Sequence, residues 1–239
     1  MARVSDDLPE LPDVTVPDDL SGLEEATPGP TPLALVHGLG SNPIDWQDVV
    51  SRVGASRPMA APWVDALKPN RPAGPLDLSA CASAVLYTGD VMTWRQFDLV
   101  GQDVGGMVGA TLAAEHPEKV RRLVLSGVFV SMPKMAVRMQ KLALQAQTRN
   151  ALVAQGIDRQ RTLQTLDTLA GLDLTETLRA VQQPTLVLVG AGDRAGRAMA
   201  RQVAELLPDG RVQEIPGAGR RPALEAPEAY ADAVVEFTA

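Results

Sequence analysis

From Leu33 onward, short and largely apolar runs take turns with longer stretches whose apolar positions recur every three or four residues. Leu33–Val36, Phe97–Val100, Arg122–Gly127, Thr185–Gly190 and Val212–Ile215 read as strands, and Pro58–Val64 as a weaker one. Helical spacing covers Ile44–Val53, a stretch from about Leu78, Met107–Glu115, about Arg194–Leu207 and Pro222–Phe237. Strands without polar alternation are those of a parallel sheet buried on both faces, and the helices between them supply the crossovers such a sheet needs. The expected fold class is α/β, a doubly wound, mostly parallel sheet.

Two stretches break the rhythm. Residues 1–32 are rich in Asp, Pro and Gly, with only Asp13-Val-Thr-Val16 resembling a strand, and are expected to form an acidic, Pro-rich arm. Residues 133–183 read as two or three amphipathic helices inserted between sheet strands, without an aromatic residue and with seven bases against four acids. Met132, Met135 and Met139 cluster near the start of this insertion, where packing on a helix face is favoured over contact with a ligand. Trp46 and Trp63 are read as core, given the area an indole buries.

Charge changes the picture little. The net charge of −7 is concentrated before Leu33, where eight acids face the single base Arg3, and the remaining chain carries 21 of each sign. A neutral body without a basic stripe argues against a nucleic-acid partner. One cysteine, Cys81, excludes an internal disulfide and a Cys-rich metal site, and reads as a small buried hydrophobe. No membrane-spanning run and no secretory signal are visible, so a cytoplasmic location is expected.

The candidate chemistry lies in Leu99-Val-Gly-Gln-Asp-Val-Gly-Gly106, which places Asp103 where a strand turns sharply into a helix. Gly101 and Gly105 remove side chains where strand and helix approach, so the residue between them can hold a strained conformation with its side chain exposed. Around this turn stand His37-Gly38 after an earlier strand and Ala114-Glu-His-Pro-Glu-Lys-Val-Arg-Arg-Leu-Val-Leu125 after the following helix. Further on come Val189-Gly-Ala-Gly-Asp193, Ile215-Pro-Gly-Ala-Gly219 and Pro222-Ala-Leu-Glu-Ala-Pro-Glu228.

With these motifs in this order, the chain from Leu33 onward resembles the α/β-hydrolase superfamily, and the aspartate at the turn resembles its epoxide hydrolases and dehalogenases. The resemblance implies a core over 33–132 and 184–239 and a helical cap over 133–183. It further implies Asp103 as the reactive residue, Asp193 as the acid of a catalytic triad, and an oxyanion hole formed by the backbone N–H groups of Leu39 and Val104.

Where that family carries its histidine, this chain has Arg220, and an Asp193–Arg220 ion pair is expected. A guanidinium stays protonated and cannot activate water, so an ester formed on Asp103 would not be released. The only histidines are His37, expected to shape the oxyanion loop, and His116, expected on the far side of the elbow helix. Val104 replaces the tryptophan that follows the nucleophile in dehalogenases, and the insertion has no tyrosine to polarise an epoxide. Gln102 and Arg221 flank the key positions, are expected to point away from the site as strand and loop neighbours commonly do, and are left out of the catalytic set.

The reading these residues favour is a cofactor-independent, metal-free enzyme in which Asp103 removes a proton α to a carbonyl. Leu39 and Val104 stabilise the enolate, and Arg220 holds an anionic group or assists departure of a carboxylate. Elimination or cyclisation of a small, largely apolar carbonyl compound follows, such as a polyketide-type intermediate, by analogy with hydrolase-like folds that serve natural-product pathways without a full triad. Hydrolysis of an ester or epoxide by a non-standard site, and a catalytically silent binding protein, remain the alternatives.

Overall fold

The computed structural model describes residues 29–39, 41–68, 76–154 and 159–239. Six strands form one sheet in which every pairing is parallel: β1 (Leu33–Val36), β2 (Met59–Ala60), β3 (Phe97–Gln102), β4 (Val120–Ser126), β5 (Thr185–Gly190) and β6 (Gly210–Ile215). Their spatial order is β2-β1-β3-β4-β5-β6, so the chain winds outward in both directions from β1 and β3. The candidate edge strand at Asp13–Val16 lies outside the described residues.

Helices α1 (Gln47–Val53), α2 (Leu78–Val91) and α3 (Val104–Glu115) follow the first three strands. Between β4 and β5 come α4 (Lys134–Ala146), α5 (Arg149–Ala154), α6 (Arg159–Leu169) and α7 (Thr175–Ala180), and the chain closes with α8 (Arg194–Leu206), α9 (Pro222–Glu225) and α10 (Pro227–Thr238). The period-two geometry of each strand divides the apolar residues between two layers. Leu33, Leu35, Val100, Val124, Leu186 and Leu188 pack with Val49 of α1 and Tyr230 and Val234 of α10. Ala34, Val36, Leu99, Leu123, Leu125 and Val187 pack with α2, α3 and α8, and Cys81 is buried in this second layer as expected.

At the amino ends of the central strands sits a buried charge. Asp98, at the start of β3, is fully enclosed, and Arg121 of β4 donates Nε and Nη2 to its two carboxylate oxygens at 2.8 Å each. Arg57 adds a second guanidinium to the same carboxylate and also donates to Thr238 Oγ1 at 2.8 Å and to the Pro32 carbonyl at 3.0 Å. A charge taken out of water persists only when its lone pairs are occupied in this way.

The structure departs from the sequence expectations in instructive places. The segment 58–64 contributes only Met59 and Ala60 to the sheet, because Pro58 and Pro62 bracket it and remove ladder donors. The helix expected over Pro222–Phe237 is two helices, broken at Ala226, whose φ of −141° and ψ of 64° lie outside the helical region that Pro227 disfavours for the residue before it. Four helices occupy the insertion, and α7 packs on α3 and α8. Met135 and Met139 are 67% and 59% exposed, so the packing role expected of them falls to Met132 alone, which lies against the core. Trp46 is buried, but Trp63 is 45% exposed: its ring lies against His37 at 5.4 Å between ring centres, tilted by 40°, and Lys68 Nζ lies 5.5 Å from the ring centre.

Candidate active site

Asp103 occupies the turn between β3 and α3 with φ 50° and ψ −121°, a conformation a non-glycine residue holds only under constraint. Its N–H donates to the Ser126 carbonyl at 2.7 Å, and its carbonyl accepts from Gly106 and Met107, which starts α3 immediately. The glycines around it are required by space. A side chain on Gly101 would collide with the backbone of Gly105 and Gly106, and one on Gly105 with the carbonyls of Val36 and His37. The elbow is thus a point where β1, β3 and α3 share backbone contact.

The carboxylate is wedged between two further glycines. A methyl group on Gly38 would lie 3.1 Å from Oδ2, and one on Gly127, where φ is +67°, would overlap Oδ1. Gln102 Nε2 lies 3.5 Å from Oδ2, so this neighbour turns toward the acid, contrary to the expectation that it points away. Burial in this crowded setting pushes the Asp103 carboxyl up to about 6, opposed by Gln102 and by the positive charges of Arg220 and Arg221.

A cavity of about 80 Å³ opens beside the acid and gathers Asp103, Asp193, Arg220, Gly127, Met199 and Pro222 in its wall. The three candidate side chains therefore meet in one space, but no ion pair joins Asp193 to Arg220 among the described residues. Asp193 instead caps α8, accepting from the Gly196 N–H at 2.9 Å, and Arg220 is left exposed. An N-cap satisfies an otherwise unpaired helix donor, and this local bond replaces the longer-range pair the sequence implied.

Val104 is the first residue of α3, where backbone N–H groups lack helical partners, and Leu39 lies half-buried in the turn after β1, next to the Gly38 that abuts the carboxylate. His37 is buried with Nδ1 donating to the Gly38 carbonyl at 3.0 Å and Nε2 without a partner. Burial lowers its pKa, against the opposing pull of Gly38 and Asp45. His116 caps the far end of α3, 3.8 Å from Glu118. Neither histidine lines the cavity.

Two residues behind the acid escape a sequence reading altogether. Ser126 and Tyr230 are completely buried, and their hydroxyls lie 3.1 Å apart on the side of the sheet away from α3. Only the Ser126-Gly127 dipeptide at a strand end hints at a special turn.

Comparison with known proteins then places the chain. The Alpha/beta hydrolase family pattern matches residues 33–233. The chain belongs to this alpha/beta hydrolase family. Among curated relatives, a pimeloyl-[acyl-carrier protein] methyl ester esterase of Aromatoleum aromaticum is 29% identical over 82% of this chain and 93% of its own length. A protein of the same name from Neisseria meningitidis is 36% identical over 95 residues, where the match spans 40% of this chain and 36% of that relative, about a third of its length. Among solved structures, Rv0554 from Mycobacterium tuberculosis superposes with a TM-score of 0.71 at 19% identity, covering 87% of this chain and 89% of that one. The enol-lactonase of Burkholderia xenovorans superposes at 0.68 and 17% identity, covering 90% and 93%. These likenesses establish the fold of this alpha/beta hydrolase family member. Among its described residues no helix is long and apolar enough to cross a membrane, and no three His, Cys, Asp or Glu side chains gather as a metal site.

Proposed function

We propose that this alpha/beta hydrolase family member is a non-hydrolytic enzyme of the Asp-elbow type, in which Asp103 is a general base acting on a small, largely apolar carbonyl compound. The observation that carries the reading is a buried carboxyl, pushed up to about 6 by that burial, in a cavity lined by Arg220 and by no histidine. A base with that affinity is mostly ionised at neutral pH, yet binds a proton more firmly than an ordinary carboxylate. Arg220, standing at the place of the family's histidine, supplies a permanent positive charge and no route to activate water.

In the elimination that fits these groups, Asp103 takes the proton α to the carbonyl, and the C–H electron pair becomes the new C=C bond. The β C–O bond breaks and the departing carboxylate carries its electron pair away beside Arg220, while the proton leaves Asp103 for solvent. The N–H groups of Leu39 and Val104 stabilise the enolate oxygen that develops on the way. Asp193 holds the start of α8 and with it the cavity wall. The helices between β4 and β5 act as the cap, a polyketide-type intermediate is the substrate class in this reading, and no cofactor takes part.

The test is Asp103→Asn assayed on a β-acetoxy ketone, with appearance of the conjugated enone as the signal. The variant is expected to lose at least about a hundredfold in rate; full retention of turnover removes Asp103 from the mechanism. The names of the relatives favour a second reading, hydrolysis of an ester at the same site. Label from ¹⁸O-water entering the released acid identifies hydrolysis, and its absence identifies elimination.

A further inference from the structure

We propose that Tyr230 is a positioning residue for the Asp103 carboxylate, acting through Ser126. The inference deepens the reading of Asp103 as a base, and its test is independent of turnover. Three contacts form the relay. Tyr230 Oη and Ser126 Oγ lie 3.1 Å apart, the Ser126 carbonyl accepts the Asp103 N–H at 2.7 Å, and the next residue, Gly127, is the wall against which Oδ1 rests. Ser126 ends β4 in register with Gln102, so the strand that carries the acid and the strand that carries its wall are tied at one level.

The relay begins from a fixed point. Tyr230 is fully buried on α10, its N–H donates to the Ala226 carbonyl at 3.0 Å, and its ring lies 6.2 Å from that of Trp46. Apolar packing alone would hold a phenylalanine equally well there. A phenol buried this deeply stays protonated, and the negative charge of Asp103 adds to that tendency, so the two groups feel each other across the end of β4. Its hydroxyl is an obligate hydrogen-bonding group, and Ser126 is its partner.

The consequence concerns the acid. Asp103 holds a strained backbone only because its surroundings over-determine it, and its raised pKa comes first from the exclusion of water. Releasing Ser126 loosens the carbonyl that anchors Asp103 and the turn at Gly127. Water then reaches the carboxylate, and its affinity for a proton falls.

The experiment is a ¹³C NMR titration of the whole chain carrying [γ-¹³C]aspartate, with the Asp103 resonance assigned by its loss in Asp103→Asn. In Tyr230→Phe the midpoint is expected to fall from about 6 by about half a pH unit. Ser126→Ala is expected to produce the same fall, and the double variant no more than either alone, because both break one relay. Ser126→Thr, which keeps the hydroxyl, is expected to retain the native midpoint. A midpoint unmoved in Tyr230→Phe, or two falls that add in full, overturns the proposal. Should Tyr230→Phe not fold, the serine variants decide: a fall in Ser126→Ala but not in Ser126→Thr supports the relay, and equal midpoints overturn it. Retained turnover in Asp103→Asn would sink the base assignment while leaving this titration valid.

Discussion

Gly127 and Asp103 exclude each other's growth: a β-carbon on the glycine would occupy the space of Oδ1 on the acid. Gly127 must also hold φ at +67°, so steric contact and backbone conformation demand glycine independently. Gly127→Ala is expected to destabilise the fold by about 1–3 kcal/mol, measured by urea denaturation, and to expel the carboxylate from its native position. Gly38→Ala, whose methyl would lie 3.1 Å from Oδ2, is expected to cost less.

Asp103 itself costs stability once ionised. Its carboxyl titrates near 6 in the folded chain and in the ordinary carboxylate range when unfolded, so the unfolded state loses its proton first as pH rises. Stability therefore declines between the ordinary range and about 6, then levels off. Asp103→Asn is expected to be more stable than the native chain near pH 8, by up to about 3 kcal/mol, with the difference vanishing near pH 3. Thermal melts at the two pH values check the sign.

Arg220 works on the acid from the cavity wall. Its charge holds the Asp103 carboxyl down, so Arg220→Ala is expected to move the Asp103 midpoint above about 6. The acid limb of kcat/KM should move to higher pH with it. The side chain is exposed and makes no ion pair among the described residues, so the melting temperature should change little. A midpoint that stays in place would show that the guanidinium is screened from the carboxylate.

What the sequence disclosed was backbone necessity. Gly101, Gly105 and the residue between them announced the elbow because no other residue type fits where strand and helix share backbone contact, and unbroken apolar runs announced strands buried on both faces. Choices among competing partners stayed hidden. Asp193 had the N–H of Gly196, in the first turn of a helix, three residues on and a guanidinium twenty-seven residues on, and sequence order alone does not show that the nearer donor wins. Trp63 stays half exposed between the buried His37 ring and Lys68, a matter of tertiary neighbours. The Ser126–Tyr230 contact joins positions 104 residues apart and had no local signature.

The opposite end of β3 offers a control. Asp98 and Asp103 are about 16 Å apart along the strand, and Asp98 holds Arg57 and Arg121 in a buried cluster. Asp98→Asn leaves two guanidinium groups competing for a neutral amide and is expected to destabilise the fold by about 3 kcal/mol. The titration of Asp103 should be unchanged, because contributions from well-separated sites act independently.

Among the described residues, every one lining the cavity comes from the sheet, the turns at its rim, α8 or α9, and every group in direct contact with Asp103 comes from the turn after β1, β3, β4 with its following turn, or α3. Helices α4 to α6 supply none of them. The acid and its supports are consequently independent of the insertion between β4 and β5, so replacing α4 to α6 with a relative's segment is expected to leave the Asp103 midpoint near 6 in the same titration.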